Sequence, residues 1–353
     1  MKSITSPKNN RNTLLDNVKA FAIVCMVLGH CIQFGSGSHF EQEELYFLNP
    51  VFKFIYSFHM PLFMLISGYL FAFSVERRSW QENFRKKITS LIVPIFTWAL
   101  LPLCISVVSL LSQTKGHLSF RESIDYYLFT SITHLWFLWA IFWCSIVILI
   151  VHRFFKDRVW IYALCVLLSL FLPDSDNWGK YGFMLPYYLL GYYYNHMGNV
   201  FKQNIRSSYL LLFIGGIFVI LLFFFNRDSY IYTSGYCILR NPVQQLLTNV
   251  FRFSIGLFGS LTVILFFSKI KRYICRSTHL SKVFSELGKE TMGIYIVSEF
   301  LISIMLRRYT KDWTDIHYGA LIVESLFILC LSFVIIQIIR KSTFLNRILL
   351  GAR

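Results

Sequence analysis

Ten stretches of this chain are apolar and almost free of charge, and they leave the backbone few places to go. They cover residues 14–34, 50–73, 88–112, 134–151, 158–172, 181–195, 208–226, 247–268, 288–306 and 318–339. A helix that crosses the hydrocarbon core of a bilayer needs about 20 mostly apolar residues. The pattern therefore predicts an all-α, polytopic membrane bundle of about ten transmembrane helices. The fifth and sixth stretches are short. They fit helices tilted less than the others, or partly re-entrant ones shielded from lipid by their neighbours. Only 15% of the residues are charged, where a soluble domain has about 25%. Aromatics at 18% suit lipid-facing helices and interfacial belts.

Loop charge sets the expected orientation. With the N-terminus inside, the inner segments carry 23 Lys and Arg residues and the outer ones 8, in strict alternation along the chain. The other three, Lys19, Lys53 and Arg252, fall within spans. Positive charge stays on the cytoplasmic side, so an N-in, C-in bundle is predicted, with residues 1–13 and 340–353 as cytoplasmic tails. The polar, basic start is followed by an apolar run too long for a signal sequence and without a small-residue cleavage site, which reads as a retained first helix. The net charge of +16 raises nucleic acid as a partner, but the basic residues sit in short runs between apolar segments rather than in one patch. Membrane lipid is the expected partner and nucleic acid is not. The eight cysteines form no C-x-x-C pair and mostly fall in apolar stretches. They read as small buried hydrophobes, and no metal site is expected. No loop is long enough for a soluble catalytic domain, so residues 1–353 read as one domain whose chemistry lies among its helices or at their ends.

Ionisable residues inside a membrane helix are costly and usually mark function. Here they are Asp16, Lys19, His30, Lys53, His59, Arg252, Glu299 and Glu324, with His134 opening the fourth stretch. Lys19 and His30 are eleven residues apart, which is three turns plus about 20° and about 16 Å along the axis. They share a face, Lys19 nearer the predicted cytoplasmic end. Two readings are open. In one, the cation holds an anionic cytoplasmic ligand whose reactive end reaches a histidine able to take and return a proton near neutral pH. In the other, Lys19 snorkels to the interface, with Asp16 as an i, i+3 partner, and His30 bonds a neighbouring helix. Glu299 must be neutral, paired or facing a wet cavity, with Arg252 and Lys53 as partners of suitable sign.

Other segments are equally two-sided. Pro61 removes a backbone hydrogen bond from the second helix, and Ser67-Gly68 permits close helix contact or ligand access. The run Arg77, Arg78, Arg85, Lys86, Lys87 is a topology determinant at anionic lipid and also a phosphate-binding candidate. His134 and Trp136 begin the fourth helix, as interfacial anchors or as a platform for a sugar ring.

Taken in order, several segments resemble the acyltransferase-3 family of membrane O-acyltransferases. They are Leu15 to Lys19 with Leu28-Gly29-His30, the FHMPLFMLISGYLF stretch from Phe58 to Phe71, Leu91 to Pro94, His134 to Phe142, Leu185 to Tyr193, Leu287 to Val297 and Ser342 to Gly351. The FHMPLF and SGY pieces look most like the fucose 4-O-acetylase branch. The family places a basic residue, ten residues and a histidine in its first helix; here lysine stands where arginine is common, keeping the charge but not the bidentate fork. Arg85, Lys86 and Lys87 only approximate the family's arginine pair, and Ser298 stands where many members have a histidine.

The resemblance implies transfer of acetyl from acetyl-CoA to a hydroxyl of a cell-envelope polysaccharide or lipid-linked sugar, in the cytoplasmic membrane of a bacterium. It implies His30 as general base or transient acyl carrier. Lys19, Arg85, Lys86 and Lys87 would hold the phosphates of CoA, which is a passing donor rather than a permanent cofactor. His59, Ser67, His134 and Trp136 would shape the acceptor side. No extracytoplasmic esterase domain is appended, so the membrane domain is expected to complete the transfer or hand off to a separate protein. The competing class is a transporter or flippase for a lipid-linked sugar or small metabolite, which would use Glu299, Arg252 and Glu324. A membrane sensor or scaffold fits less well.

Overall fold

A computed structural model describes residues 12–112, 120–196, 208–313 and 317–351, and the described chain is helical with no strand. The main helices are α1 (Thr13–Phe34), α2 (Pro50–Arg77), α3 (Trp80–Lys87), α4 (Val93–Ser112), α5 (Phe120–Thr133), α6 (Trp136–Phe155), α7 (Val159–Ser169), α8 (Trp178–His196), α9 (Ser208–Phe223), α10 (Pro242–Arg276), α11 (Thr278–Leu301), α12 (Tyr318–Arg340) and α13 (Thr343–Leu350). Every expected span falls on one of these. Among the described residues, six helices are long and apolar enough to cross a bilayer: α1, α2, the helix running Trp80–Val107, α6, α10 and α12. α7 and α9 are shorter apolar helices of 11 and 16 residues, about 16 Å and 24 Å long. α7 cannot cross a core of about 30 Å as a helix by itself.

Local chemistry fixes the helix starts. The Asn12 side chain accepts from the Leu14 N–H, and Asn49 accepts from Val51 and Phe52, with Pro50 at the first turn of α2. Ser79 and Glu82 form a capping box at α3. A π-helical turn, Ile88–Ile92, joins α3 to α4, so the basic run continues directly into an apolar helix.

α1 and α2 form the centre, with 67% and 72% of their apolar windows buried, against 28% for Trp80–Val107 and 33% for α12. The outer helices expose large apolar side chains such as Phe213 and Phe223 on α9 and Ile322 and Val323 on α12. That surface suits lipid and would aggregate in water. α2 packs most extensively on α8. Gly68 and Gly191 make this crossing: a Cβ on Gly68 would lie 1.9 Å from the Tyr188 carbonyl oxygen, and one on Gly191 2.0 Å from that of Leu65. The two backbones touch as in small-residue membrane packing.

All eight cysteines are free. Cys25, Cys31 and Cys144 are buried, as the composition predicted, but Cys104, Cys275 and Cys330 lie exposed on the bundle surface. An apolar stretch does not reveal which of its faces meets the core.

Candidate functional site

One stripe of α1 organises the interior. Lys19, Ile23, Met26, His30 and Gln33 recur at alternating steps of four and three, so they share a face. The first three line a cavity of about 330 Å³, and His30 and Gln33 line a second of about 260 Å³. Met60 of α2 is common to both. Trp136 lines the His30 cavity and its neighbour Phe137 the Lys19 cavity. The predicted alignment of Lys19 and His30 thus becomes two chambers stacked along the bundle.

In the His30 cavity the imidazole lies between two partners. Nδ1 is 3.4 Å from the Tyr56 hydroxyl, which donates to Gln33 Oε1 at 3.0 Å. Nε2 is 3.7 Å from Glu299 Oε2 on α11. With the Tyr56 proton given to Gln33, its oxygen is left to accept from Nδ1–H, and the ring's lone pair falls on Nε2, facing the carboxylate. His30 and Glu299 are 15% and 21% exposed, so the pair is shielded but reachable. A carboxylate there stabilises an imidazolium formed when Nε2 takes a proton.

His59 lines the same cavity. Its Nδ1 bonds the Ile55 carbonyl at 2.8 Å, which fixes that nitrogen as donor and turns the Nε2 lone pair outward. Trp136 forms part of the wall, with the Lys180 ammonium 5.3 Å from its ring centre. His134 does not line the cavity. Its ring packs on Phe300 at 4.5 Å, and its Nε2 is buried without a hydrogen-bond partner among the described residues.

Part of the wall comes from the segment after α9, through Ser229, Tyr230 and Tyr232. Arg252 of α10, 2% exposed, holds this segment. Its guanidinium donates to the carbonyls of Asp228, Ser229, Tyr230 and Gly235 and to the Ser234 hydroxyl. Arg252 is therefore a clamp on the cavity wall and not the partner of Glu299. Burial pushes the Tyr230 phenol above its ordinary range, with Tyr46 adding to the effect, so the hydroxyl stays neutral. Glu324 lies away from both cavities, its carboxyl buried beside Gly35 without a hydrogen-bond partner among the described residues.

The Lys19 cavity gathers the predicted cations unequally. The Lys19 ammonium donates to the Gly288 carbonyl at 2.7 Å and pairs with Asp16 at 3.2 Å, which ties α1 to α11. Lys86 and Lys87 line the cavity. The Lys87 ammonium sits 4.1 Å from the Phe71 ring centre and donates to the Tyr188 hydroxyl at 3.3 Å, and Tyr188 is bonded to Ser145 at 2.8 Å. It has no carboxylate partner among the described residues. Arg85 is exposed and lines neither cavity, because one residue's step turns it about 100° from Lys86. Ser67, expected beside His59, lies instead in the Lys19 cavity, because eight residues of helix carry it about 12 Å along α2.

Tyr56, Gln33 and Lys180 have no role in the sequence reading, and Glu299 has one only in the competing transporter class. Only Glu299 carried a signal, as an acid inside an apolar run. The partners of the others depend on helices far apart in the chain.

A family profile described as an acyltransferase domain matches residues 12–341. The nodulation protein NolL of Mesorhizobium japonicum is 26% identical over 365 residues, covering 98% of this chain and 91% of that protein. The nodulation protein NolL of Sinorhizobium fredii is 26% identical over 368 residues, covering 99% of this chain and 94% of that protein. No solved structure gives a significant match.

Proposed function

The chain belongs to the acyltransferase-3 family, matched from residue 12 to residue 341, and from that premise we propose that it moves an acetyl group from cytoplasmic acetyl-CoA to a hydroxyl of a cell-envelope glycan or lipid-linked sugar. Membership makes it an integral membrane acyltransferase that takes an acyl donor. The acetyl donor, the sugar acceptor, the bacterial cytoplasmic membrane and the residue roles are the proposed part.

The observation that carries the reading is the pair of chambers along one stripe of α1, cations in one and His30 with Glu299 in the other. Lys86 and Lys87 hold the phosphates of CoA in the first. The pantetheine arm runs along α1 past Met60 and brings the thioester carbonyl toward His30. His30 Nε2 takes the proton of the acceptor hydroxyl, and the freed oxygen attacks the thioester carbonyl carbon. The tetrahedral intermediate collapses with cleavage of the carbon–sulfur bond, and the proton on His30 goes to the departing thiolate. The products are an O-acetyl ester and free CoA. Glu299 offsets the charge on His30 while the proton rests there. Lys19 acts as a positioning residue, since its ammonium already joins Asp16 and the Gly288 carbonyl. His59 and Trp136 shape the acceptor side, at the end that the asymmetry of loop charge favours as the outer one.

The test uses the purified protein in liposomes with labelled acetyl-CoA and envelope glycan. The expected product is an alkali-labile O-acetyl ester, and His30→Ala lowers its formation by about 10²- to 10⁴-fold. Activity of His30→Ala near wild type would remove the catalytic assignment. Movement of sugar across the bilayer without any ester would favour a transporter.

A further inference from the structure

The His30 cavity has a neighbour on the side of Lys180. This third cavity is of about 510 Å³. The two cavities adjoin, with Lys180, Ile231 and Tyr232 as their shared lining. The outer part lies within the range of small-ligand sites, about 300–1,000 Å³. Three separate pieces of chain build it: the connection between α7 and α8, the end of α5, and the segment that Arg252 clamps.

Its walls are pre-organised. The Asp174 carboxylate accepts the Tyr236 and Cys237 backbone N–H groups at 2.6 and 3.3 Å. The Asn177 amide donates to the Ile132 carbonyl at 3.3 Å. Arg252 fixes the backbone from Asp228 to Gly235. By contrast, the Asp176 carboxylate and the Arg240 guanidinium line the same cavity from its exposed rim and have no hydrogen-bond or ion-pair partner among the described residues. A rigid frame with uncommitted polar groups binds at low ordering cost.

The lining selects among ligands. Two aspartates are balanced by Lys180 and Arg240, so the lining favours no net charge of either sign in its ligand. The mixture of carboxylate, amide, hydroxyl and guanidinium disfavours a lipid tail, whose burial there would leave polar groups unpaired. It suits a neutral polyol, which donates to carboxylates and accepts from a guanidinium. Tyr232, 42% exposed on the shared lining, adds a flat apolar face with a polar rim.

We infer that this vestibule is a second sugar subsite. It binds the unit next to the one acetylated, while the reacting unit passes Lys180 and Tyr232 into the His30 cavity. The acceptor is then at least two sugar units long, neutral in the unit held here. This rests on the acetyl-transfer reading above.

Fragments of envelope polysaccharide cut to one, two and three sugar units test it, with the protein in liposomes and saturating acetyl-CoA. For wild type, kcat/KM rises about tenfold or more from one unit to two, the size of one charge-assisted hydrogen bond gained. Asp176→Ala and Arg240→Ala each remove most of that rise, while one-unit acetylation and acetyl-CoA binding stay as in wild type. Equal kcat/KM for one and two units in wild type overturns the proposal. So does a loss in the variants that is the same at every length, which marks a structural role only. If no fragment is acetylated, the acetyl-transfer reading is what fails. The subsite is then judged by equilibrium binding of a labelled two-unit fragment, which both variants weaken about tenfold if it stands and leave unchanged if it does not.

Discussion

Replacing Glu299 with glutamine separates a charge partner from a neutral wall of the same shape. When His30 Nε2 holds a proton, it and Glu299 Oε2 are opposite charges 3.7 Å apart. At an effective dielectric of about 20, their attraction is about 4.5 kcal/mol. The proton is only partly transferred in the transition state, and both side chains keep some contact with solvent, so about half of that, about 2 kcal/mol, is the expected loss. That corresponds to about 30-fold in kcat. The KM values for donor and acceptor should change little, because the charge exists only while the proton is moving. The assay is steady-state acetyl transfer in liposomes with each substrate varied in turn. Glu299→Asp keeps the charge but withdraws it by one methylene and should fall between glutamine and wild type. In a His30→Ala background, Glu299→Gln should cost nothing further, since the two act as a unit. A kcat within about threefold of wild type for Glu299→Gln, or a loss confined to the KM for acetyl-CoA, would mean that Glu299 does not balance the charge of protonated His30.

Lys87→Ala removes a half-buried ammonium without a carboxylate partner among the described residues; the KM for acetyl-CoA should rise about 10- to 100-fold, the worth of a hydrogen bond to a charged group, whereas Arg85→Ala on the exposed face should change it little. Arg252→Ala leaves at least four buried or half-buried carbonyls without their donor. It should cost about 3 kcal/mol or more, seen as a lower melting temperature in detergent, and Arg252→Lys should restore little because an ammonium cannot reproduce the planar fork. Gly191→Ala places a Cβ 2.0 Å from the Leu65 carbonyl oxygen. The helices must part, at about 1–3 kcal/mol for overpacking, and thermal unfolding together with acetyl-transfer rate should both report it.

Helical periodicity and apolar length carried much of this architecture. Lys19 and His30 fall on one face of α1 in any straight helix, whatever surrounds them, so the stripe was legible from spacing alone. The same holds for the short-range pair Asp16–Lys19, where neighbours in sequence are neighbours in space. Helical rotation also separates Arg85 from Lys86, and helical rise separates Ser67 from His59. Those separations needed the cavity positions before they meant anything.

Contacts between helices were beyond the sequence. Glu299 showed itself as an acid in an apolar run, but its facing group could have been Arg252, Lys53 or His30. Packing of α1 against α11 chose His30, and the carbonyls of the 228–235 segment took Arg252. Sequence determined a membrane bundle, its family and a charged stripe on its first helix, because repeat length, charge cost in lipid and local capping act within one segment. Tertiary structure decided which face of each helix meets the core. It set Met60 between two chambers, and Lys180 and Tyr232 between the His30 chamber and its outer neighbour. Those outcomes depend on close packing between residues more than a hundred positions apart, and no local rule constrains that packing.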